Sequence, residues 1–186
     1  MKILRVARNK LYLESNLEKE EVIDVSPDII QKMDLNRKKE LSREEYRRVI
    51  YLASLAKSLF LLSRRDYSRK EMLTKLRMKF REYEILEEVV EKIVARGFID
   101  DLDYARTLIE RSRESQRKLE YQLSMKGISR EVIQEAFGES EHDERDEIRK
   151  QLKKVANREK GKQIAYLMRK GFRYEDIRDV MRGIED

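Results

Sequence analysis

The chain has 186 residues, 43% of them charged and 40% hydrophobic, which is too apolar for a disordered polyelectrolyte and sufficient to build folded cores. A single proline and six glycines leave little material for turn-rich β architecture and point to helices. Forty-three basic residues against 37 acidic ones give a net charge of +6, a surplus that admits nucleic acid or an acidic protein surface as partner without requiring either.

In chain order, the first 25 residues differ from the rest. Ile3-Leu4-Arg5-Val6, Leu11-Tyr12-Leu13-Glu14 and Val22-Ile23-Asp24-Val25 are short β-branched or aromatic runs separated by polar residues, and predict a β hairpin or a three-stranded flap. Ser26-Pro27-Asp28 places an N-cap before a proline at the first helical position and opens a short helix to about Met33. Asn36-Arg37-Lys38-Lys39-Glu40 reads as a polar joint. From Ser42 onward the pattern is helical. The Ser42-x-x-Glu45 capping box leads Tyr46, Val49, Ile50, Ala53, Ala56, Leu59 and Phe60 at helical spacing. Ser68-x-x-Glu71 leads Met72, Leu73, Leu76 and Phe80, and the next helix carries Ile85 to Val94, with Gly97 as its stop. Asp100-Asp101 caps a helix with Tyr104, Ala105, Leu108 and Ile109. The two helices after it end at Gly127 and Gly138, with Ser129 as a cap between them. The last three helices are expected over about Glu141–Arg158, Glu159–Lys170 and Tyr174–Arg182, stopped by Gly171 and Gly183.

Three stretches of this pattern repeat one another: Lys75-Leu76-Arg77-Met78-Lys79-Phe80, Gln122-Leu123-Ser124-Met125-Lys126-Gly127-Ile128 and Tyr166-Leu167-Met168-Arg169-Lys170-Gly171-Phe172. Their leucines stand 47 and 44 residues apart, a period that marks one supersecondary unit used three times. The organisation predicted is an N-terminal extension over residues 1–41 and three-helix modules over 42–99, 100–139 and 140–186. The fold class is mainly α, with tandem repeats in an elongated, curved array and β structure confined to the extension. Modules this short bury little surface alone and are expected to lean on their neighbours. Met78 and Met125, two residues beyond their anchor leucines, are accordingly expected to pack against the adjacent module. The competing reading makes them partner-facing contacts, a use that suits thioethers.

Catalysis finds little support. Without cysteine there is no thiolate nucleophile, disulfide framework or sulfur-ligated metal, and a reducing compartment, the cytoplasm, is the expected setting. The single histidine, His142, lies in the charged run Glu139-Ser140-Glu141-His142-Asp143-Glu144 and reads as solvated rather than as a metal ligand. Asp100 and Asp101 could be imagined holding a cation, but aspartates at a helix start are better explained as caps. No Walker loop or dinucleotide fingerprint occurs, and no apolar run approaches the roughly 18 residues of a membrane span. The expectation is a monomeric protein that is not an enzyme, with no cofactor and no metal.

Charge is distributed unevenly between helices. Arg69, Lys70, Lys75, Arg77, Lys79 and Arg81 gather around the first module's middle helix against Glu71 alone. The helix that follows is net acidic through Glu82, Glu84, Glu87, Glu88 and Glu91. The second module repeats the alternation more weakly, with Arg117, Lys118 and Lys126 in its middle helix and Glu131, Glu135 and Glu139 in its last. Arg169 and Lys170 continue the basic set in the third. Acidic final helices disfavour sequence reading in the DNA major groove, where phosphates would repel them. The basic middle helices are the candidate binding surface, set against the plainer reading of solvated charge.

Two ordered motifs accompany the repeat: Ser68-Arg69-Lys70-Glu71-Met72-Leu73-Thr74-Lys75-Leu76, and Gly97-Phe98-Ile99-Asp100-Asp101-Leu102-Asp103-Tyr104-Ala105. With the Lys126-Gly127-Ile128 turn, they resemble the RecX family, regulators of the RecA recombinase, over about residues 50–184. Phe80-Arg81-Glu82 stands where the family usually has a glycine, and the N-terminal extension lies outside the family's core pattern. The resemblance implies a protein that binds the RecA filament on single-stranded DNA and inhibits strand exchange, ATP hydrolysis or coprotease activity without catalysis of its own. Binding residues would then be sought among Arg69, Lys70, Lys75, Lys79, Arg81, Arg117, Lys118, Lys126, Arg169 and Lys170. A basic helical protein that binds single- or double-stranded DNA directly is the alternative.

Overall fold

The computed structural model describes residues 1–14, 20–140 and 143–185. His142 and Glu141 therefore lie outside the described residues. The chain divides into two compact units, Met1–Ile99 and Asp100–Asp186.

The first unit opens with three antiparallel strands, β1 (Ile3–Ala7), β2 (Lys10–Leu13) and β3 (Glu21–Asp24), with β2 in the centre. Arg8 and Asn9 join β1 to β2 with φ of 51° and 61°, the left-handed pair that a two-residue hairpin loop requires. Alternation along β2 buries Leu11 and Leu13, and Ile23 of β3 joins them. The segment expected to be a polar joint does more than connect. The Ile3 N–H donates to the Lys39 carbonyl at 2.8 Å and the Leu41 N–H to that of Met1 at 2.8 Å, so residues 39–41 extend the edge beside β1. Ser26 caps the short helix α1 (Pro27–Lys32).

Helix α2 (Arg43–Leu62) starts at the Ser42–Glu45 capping box. Its buried face runs through Tyr46, Ile50, Ser54 and Ser58, with Val49 and Ala53 beside them. Ala56, Leu59 and Phe60, expected to continue that face, are exposed. The face follows the i, i+4 ridge, and two serines occupy its second half. Their hydroxyls donate back to the helix, Ser54 to the Tyr51 carbonyl at 3.1 Å and Ser58 to that of Ser54 at 2.8 Å, so burial leaves neither unsatisfied. Helices α3 (Arg69–Arg77) and α4 (Tyr83–Ala95) complete the unit. One hydrophobic core takes Leu11, Leu13, Ile23 and Val25 from the extension together with Ile50, Met72, Leu76, Phe80, Leu86 and Ile93 from the helices. The Tyr46 hydroxyl donates to Glu21 Oε1 at 2.8 Å and ties the sheet to α2.

The second unit holds α5 (Asp101–Arg111), α6 (Gln116–Met125) and α7 (Arg130–Gly138), then α8 (Glu144–Lys154), α9 (Lys160–Arg169) and α10 (Tyr174–Glu185). Ala105, Ile109, Leu123, Ile128, Ile133 and Ala136 form one core, and Ile148, Leu152, Leu167, Phe172, Ile177, Val180 and Met181 another. Asp100 Oδ1 accepts from the N–H groups of Leu102 at 2.9 Å and Asp103 at 3.1 Å, the capping role expected of it. Two boundaries differ from expectation. Helix α8 ends at Lys154, where Val155 begins a turn closed by the Arg158 N–H on the Val155 carbonyl at 2.9 Å. Gly183 lies inside α10 rather than stopping it, since a glycine ends a helix only when it leaves the right-handed region.

The turn after each middle helix shows what the glycine substitution in the first module does. Gly127 and Gly171 take φ of 82° and 96°. This lets the Ile128 N–H reach the Leu123 carbonyl at 3.2 Å and the Phe172 N–H that of Leu167 at 3.3 Å, a six-residue closure of the Schellman type. In the first module, the N–H groups of Lys79 and Phe80 both turn back to the Leu76 carbonyl, at 2.8 and 2.9 Å. The buried aromatic arrives one residue sooner, and no left-handed residue is needed.

Candidate functional site

Of the ten basic residues singled out from the sequence, the structure gives several a structural partner. In the first unit Arg69 pairs with Glu91 and Arg77 with Glu87, the latter at 2.8 Å. The alternation of sign between α3 and α4 is thus partly a set of cross-helix ion pairs. Lys70, Lys75, Lys79 and Arg81 are exposed, and among the described residues none of the four has an ion-pair partner. Leu76 and Phe80 are buried and Leu73 half-buried, so Lys70 and Lys75 leave α3 away from its apolar face, and Lys79 and Arg81 are exposed in the turn that follows the helix. Lys79 also lines a groove of about 460 Å³ with Arg8, Lys10 and Lys57, where Asp24 is the acidic member. The hairpin tip brings Arg8 and Lys10 there, a convergence that only the β register creates.

In the second unit, predicted residues from two modules meet. The start of α6 abuts the end of α9: the Ser115 N–H donates to the Lys170 carbonyl at 3.1 Å, Lys118 Nζ to the Arg169 carbonyl at 3.2 Å and Lys170 Nζ to the Arg113 carbonyl at 3.5 Å. Glu114 takes Lys118 at 2.5 Å and Lys170 at 3.8 Å. Beneath this joint the buried Glu147 accepts from Arg113 at 3.2 Å and from Gln151 at 2.6 Å, and Gln151 in turn accepts from Tyr166 at 3.0 Å. Lys118 and Lys170 therefore fasten modules together. Arg117 and Arg169 are exposed, with no ion-pair partner among the described residues. Beside Arg117 a groove of about 830 Å³ is lined by Tyr121, Met168, Arg173 and Tyr174. Sequence periodicity pointed to none of these four as a site. Their only signal was large side chains at positions of the helical pattern that no core requires.

Met78 and Met125 are not packed side chains within their own units. They are 73% and 63% exposed, and Met168 is 51% exposed. The three stand at the C-terminal ends of the three middle helices, each followed directly by a cation: Met78–Lys79, Met125–Lys126 and Met168–Arg169. Their anchor leucines, Leu76, Leu123 and Leu167, are fully buried, so each methionine lies beyond its core rather than in it.

Among the described residues no cluster of His, Cys, Asp or Glu is arranged to hold a metal ion, and no helix is long and apolar enough to cross a membrane.

Family models of the second and third three-helix domains of RecX match residues 102–136 and 143–181. A regulatory protein RecX of Vibrio vulnificus (strain CMCP6) is 30% identical over 128 residues, which cover 63% of this chain and 84% of that protein. One of Thermus thermophilus is 34% identical over 122 residues, 64% of this chain and 83% of the relative. One of Clostridium botulinum (strain Alaska E43) is 24% identical over 192 residues, 94% of this chain and 91% of the relative. A crystal structure of regulatory protein RecX superposes with a TM-score of 0.56 at 20% identity, covering 96% of this chain and all of that one. RecX from Lactobacillus salivarius gives 0.57 at 22%, covering 73% of this chain and 97% of the other. At those identities the two structures speak for the fold.

Proposed function

The chain belongs to the RecX family, and from that premise we propose that it is a regulatory protein that acts by binding, not catalysis, on the filament RecA forms on single-stranded DNA. The observation that carries the reading is the repeated surface feature: an exposed methionine followed by a cation at the end of each middle helix, Met78–Lys79, Met125–Lys126 and Met168–Arg169. A filament offers the same site on successive protomers, and a protein of like modules meets it with like contacts. Weak contacts on one continuous ligand reinforce one another through effective concentration. The thioethers supply adaptable apolar contact, and Lys70, Lys75, Lys79 and Arg81 supply charge that hastens encounter with an acidic surface. Inhibition of strand exchange, ATP hydrolysis and coprotease activity follows from occupancy of the filament, and the chain hydrolyses nothing itself.

The test compares a bare labelled oligonucleotide with a RecA filament preformed on the same oligonucleotide, by fluorescence anisotropy. Half-saturation of the filament is expected at a protein concentration at least tenfold lower than that of the bare strand. Equal affinities for the two, or a preference for the bare strand, would overturn the reading.

A further inference from the structure

The sheet of the first unit leaves its two edges in different states. Beside β1, residues 39–41 complete the edge through the Lys2–Glu40 bridge and the backbone bonds of Ile3 and Leu41. Beside β3 no described residue does the same. The Val25 N–H donates to the Asn9 carbonyl at 2.9 Å, and the register sets Lys10 opposite Asp24 and Tyr12 opposite Val22. Backbone groups of an antiparallel pair alternate between facing the partner strand and facing away from it. The N–H and C=O groups of Val22 and Asp24 therefore point away from β2, and among the described residues nothing on that side bonds to them. Val22 is 42% exposed.

This free edge borders the groove of about 460 Å³ in the same unit. Arg8 and Lys10 reach the groove from the hairpin, Lys57 from α2 and Lys79 from the turn after α3, against Asp24 alone. Among the described residues none of these four cations has an ion-pair partner, whereas Arg47, Arg69 and Arg77 nearby in the unit are paired with glutamates. A row of unpaired backbone donors and acceptors thus adjoins a local surplus of positive charge.

We propose that the β3 edge binds an extended acidic segment of a partner protein, which adds to the sheet as a further strand. Its backbone pairs with Val22 and Asp24, and its carboxylates lie among Arg8, Lys10, Lys57 and Lys79. Strand addition draws affinity from main-chain bonds and selects its partner through side chains. Charge argues against a second copy of this chain as the occupant, because pairing two β3 edges would bring two sets of the same cations together. A nucleic acid would satisfy the cations, but its phosphates would leave the outward N–H and C=O row unused as a ladder and would be repelled by the carbonyls. Phe80, the aromatic residue in the lining, is 4% exposed and offers no face on which a base could stack. The site shares only Lys79 with the filament contact proposed above, and stands or falls separately from it.

The experiment titrates the full chain into fluorescein-labelled octapeptides and follows their anisotropy. One alternates Glu and Val, a second alternates Lys and Val, and a third is the Glu–Val peptide N-methylated at every residue. The plain Glu–Val peptide is expected to bind at least tenfold more tightly than either of the others, since one lacks the charge and the other the backbone donors. Lys10→Gln/Lys57→Gln should weaken it about fivefold or more and make its binding less sensitive to salt. Val22→Pro should weaken it as well, because it removes an outward N–H from an edge strand, where proline is tolerated. Urea titration checks that each variant keeps its fold, and the methylated peptide tests the same ladder from the ligand's side. Equal binding of the methylated and plain Glu–Val peptides would mean attraction of charge without strand addition, and overturns the proposal. Unchanged binding by Lys10→Gln/Lys57→Gln, or displacement of the peptide by oligothymidylate at lower concentration than by unlabelled Glu–Val peptide, overturns it too. Absence of Glu–Val binding in a chain that still prefers the RecA filament overturns this proposal alone.

Discussion

Arg77 of α3 reaches Glu87 of α4 at 2.8 Å, and Arg69, two turns earlier, pairs with Glu91 on the same helix. These contacts divide the basic helix into cations that hold the two helices together and cations that face outward. Both pairs are exposed, so each contributes about 0–1 kcal/mol to stability. Lys70 and Lys75 belong to the outward set, and Arg81, in the turn after α3, is exposed as well.

Reversal of that outward set tests the binding face. Lys70→Glu/Lys75→Glu/Arg81→Glu should raise the concentration needed to inhibit RecA-catalysed strand exchange at least tenfold, equivalent to about 1.4 kcal/mol. The melting temperature should barely change. Glu87→Lys/Glu91→Lys serves as the comparison: it breaks the two cross-helix pairs, costs a little stability and leaves inhibition less affected. If the acidic-helix variant loses inhibition while the basic-helix variant keeps it, the binding face is on the other side.

The methionines provide an independent check. Met78→Ser/Met125→Ser should leave the unfolding free energy within about 0.5 kcal/mol of wild type, as expected for exposed positions. Buried methionines cut back this far would cost about 2–5 kcal/mol each. The same variant should bind the filament severalfold more weakly. A large stability loss in urea titration would restore the packing role that their exposure argues against.

How far the fold could be read from the sequence depended on whether a signal was local. Ser26, Ser42, Ser68, Asp100 and Ser129 all cap the helices expected of them, because an N-cap is settled by a few neighbouring residues. Gly97, Gly127 and Gly171 take the left-handed conformation for the same reason. Ser54 and Ser58 were missed as core positions because hydropathy marks serine as outside, whereas the i, i+4 ridge and a backbone carbonyl make burial cheap. The site was less legible. Lys79 gains Arg8 and Lys10 as neighbours only through strand pairing, and Arg117 gains Tyr174 only where two modules meet. Neither relation has a short-range signature.

Tyr46 predicts a pH dependence. Burial, first, and then the carboxylate of Glu21 beside it raise its phenol well above the ordinary value. A folded-state value above the unfolded one of about 10 means that the folded chain keeps a proton the unfolded chain gives up. This contribution is complete below about pH 10 and is lost as pH rises from there toward the folded value. Tyr46→Phe should cost about 1–2 kcal/mol at neutral pH through the lost bond to Glu21. It should also lose less stability than wild type between neutral and strongly alkaline pH. Denaturant titrations of the two proteins at both pH values give the comparison, and parallel losses would show that Tyr46 ionises alike in both states.

Gly171 tests the joint that carries the second unit's groove. Its φ is 96°, and a Cβ there would stand 2.4 Å from Ser115 Oγ and 3.0 Å from Lys118 Cβ. Gly97 shares the left-handed conformation, with φ of 72°, but a Cβ on it would meet nothing within 4 Å. Gly97→Ala therefore isolates the backbone cost, about 1–2 kcal/mol. Gly171→Ala adds steric overlap with a cap residue at the meeting of two modules, and should cost at least ~2 kcal/mol more. Ser115→Ala alone should cost about 1 kcal/mol through the lost helix cap. Because the clash is with the Ser115 hydroxyl, Ser115→Ala/Gly171→Ala should cost less than the sum of its parts. Strict additivity in a double-mutant cycle, or equal losses for Gly97→Ala and Gly171→Ala, would mean that the α6–α9 joint yields freely and does not hold the groove in shape.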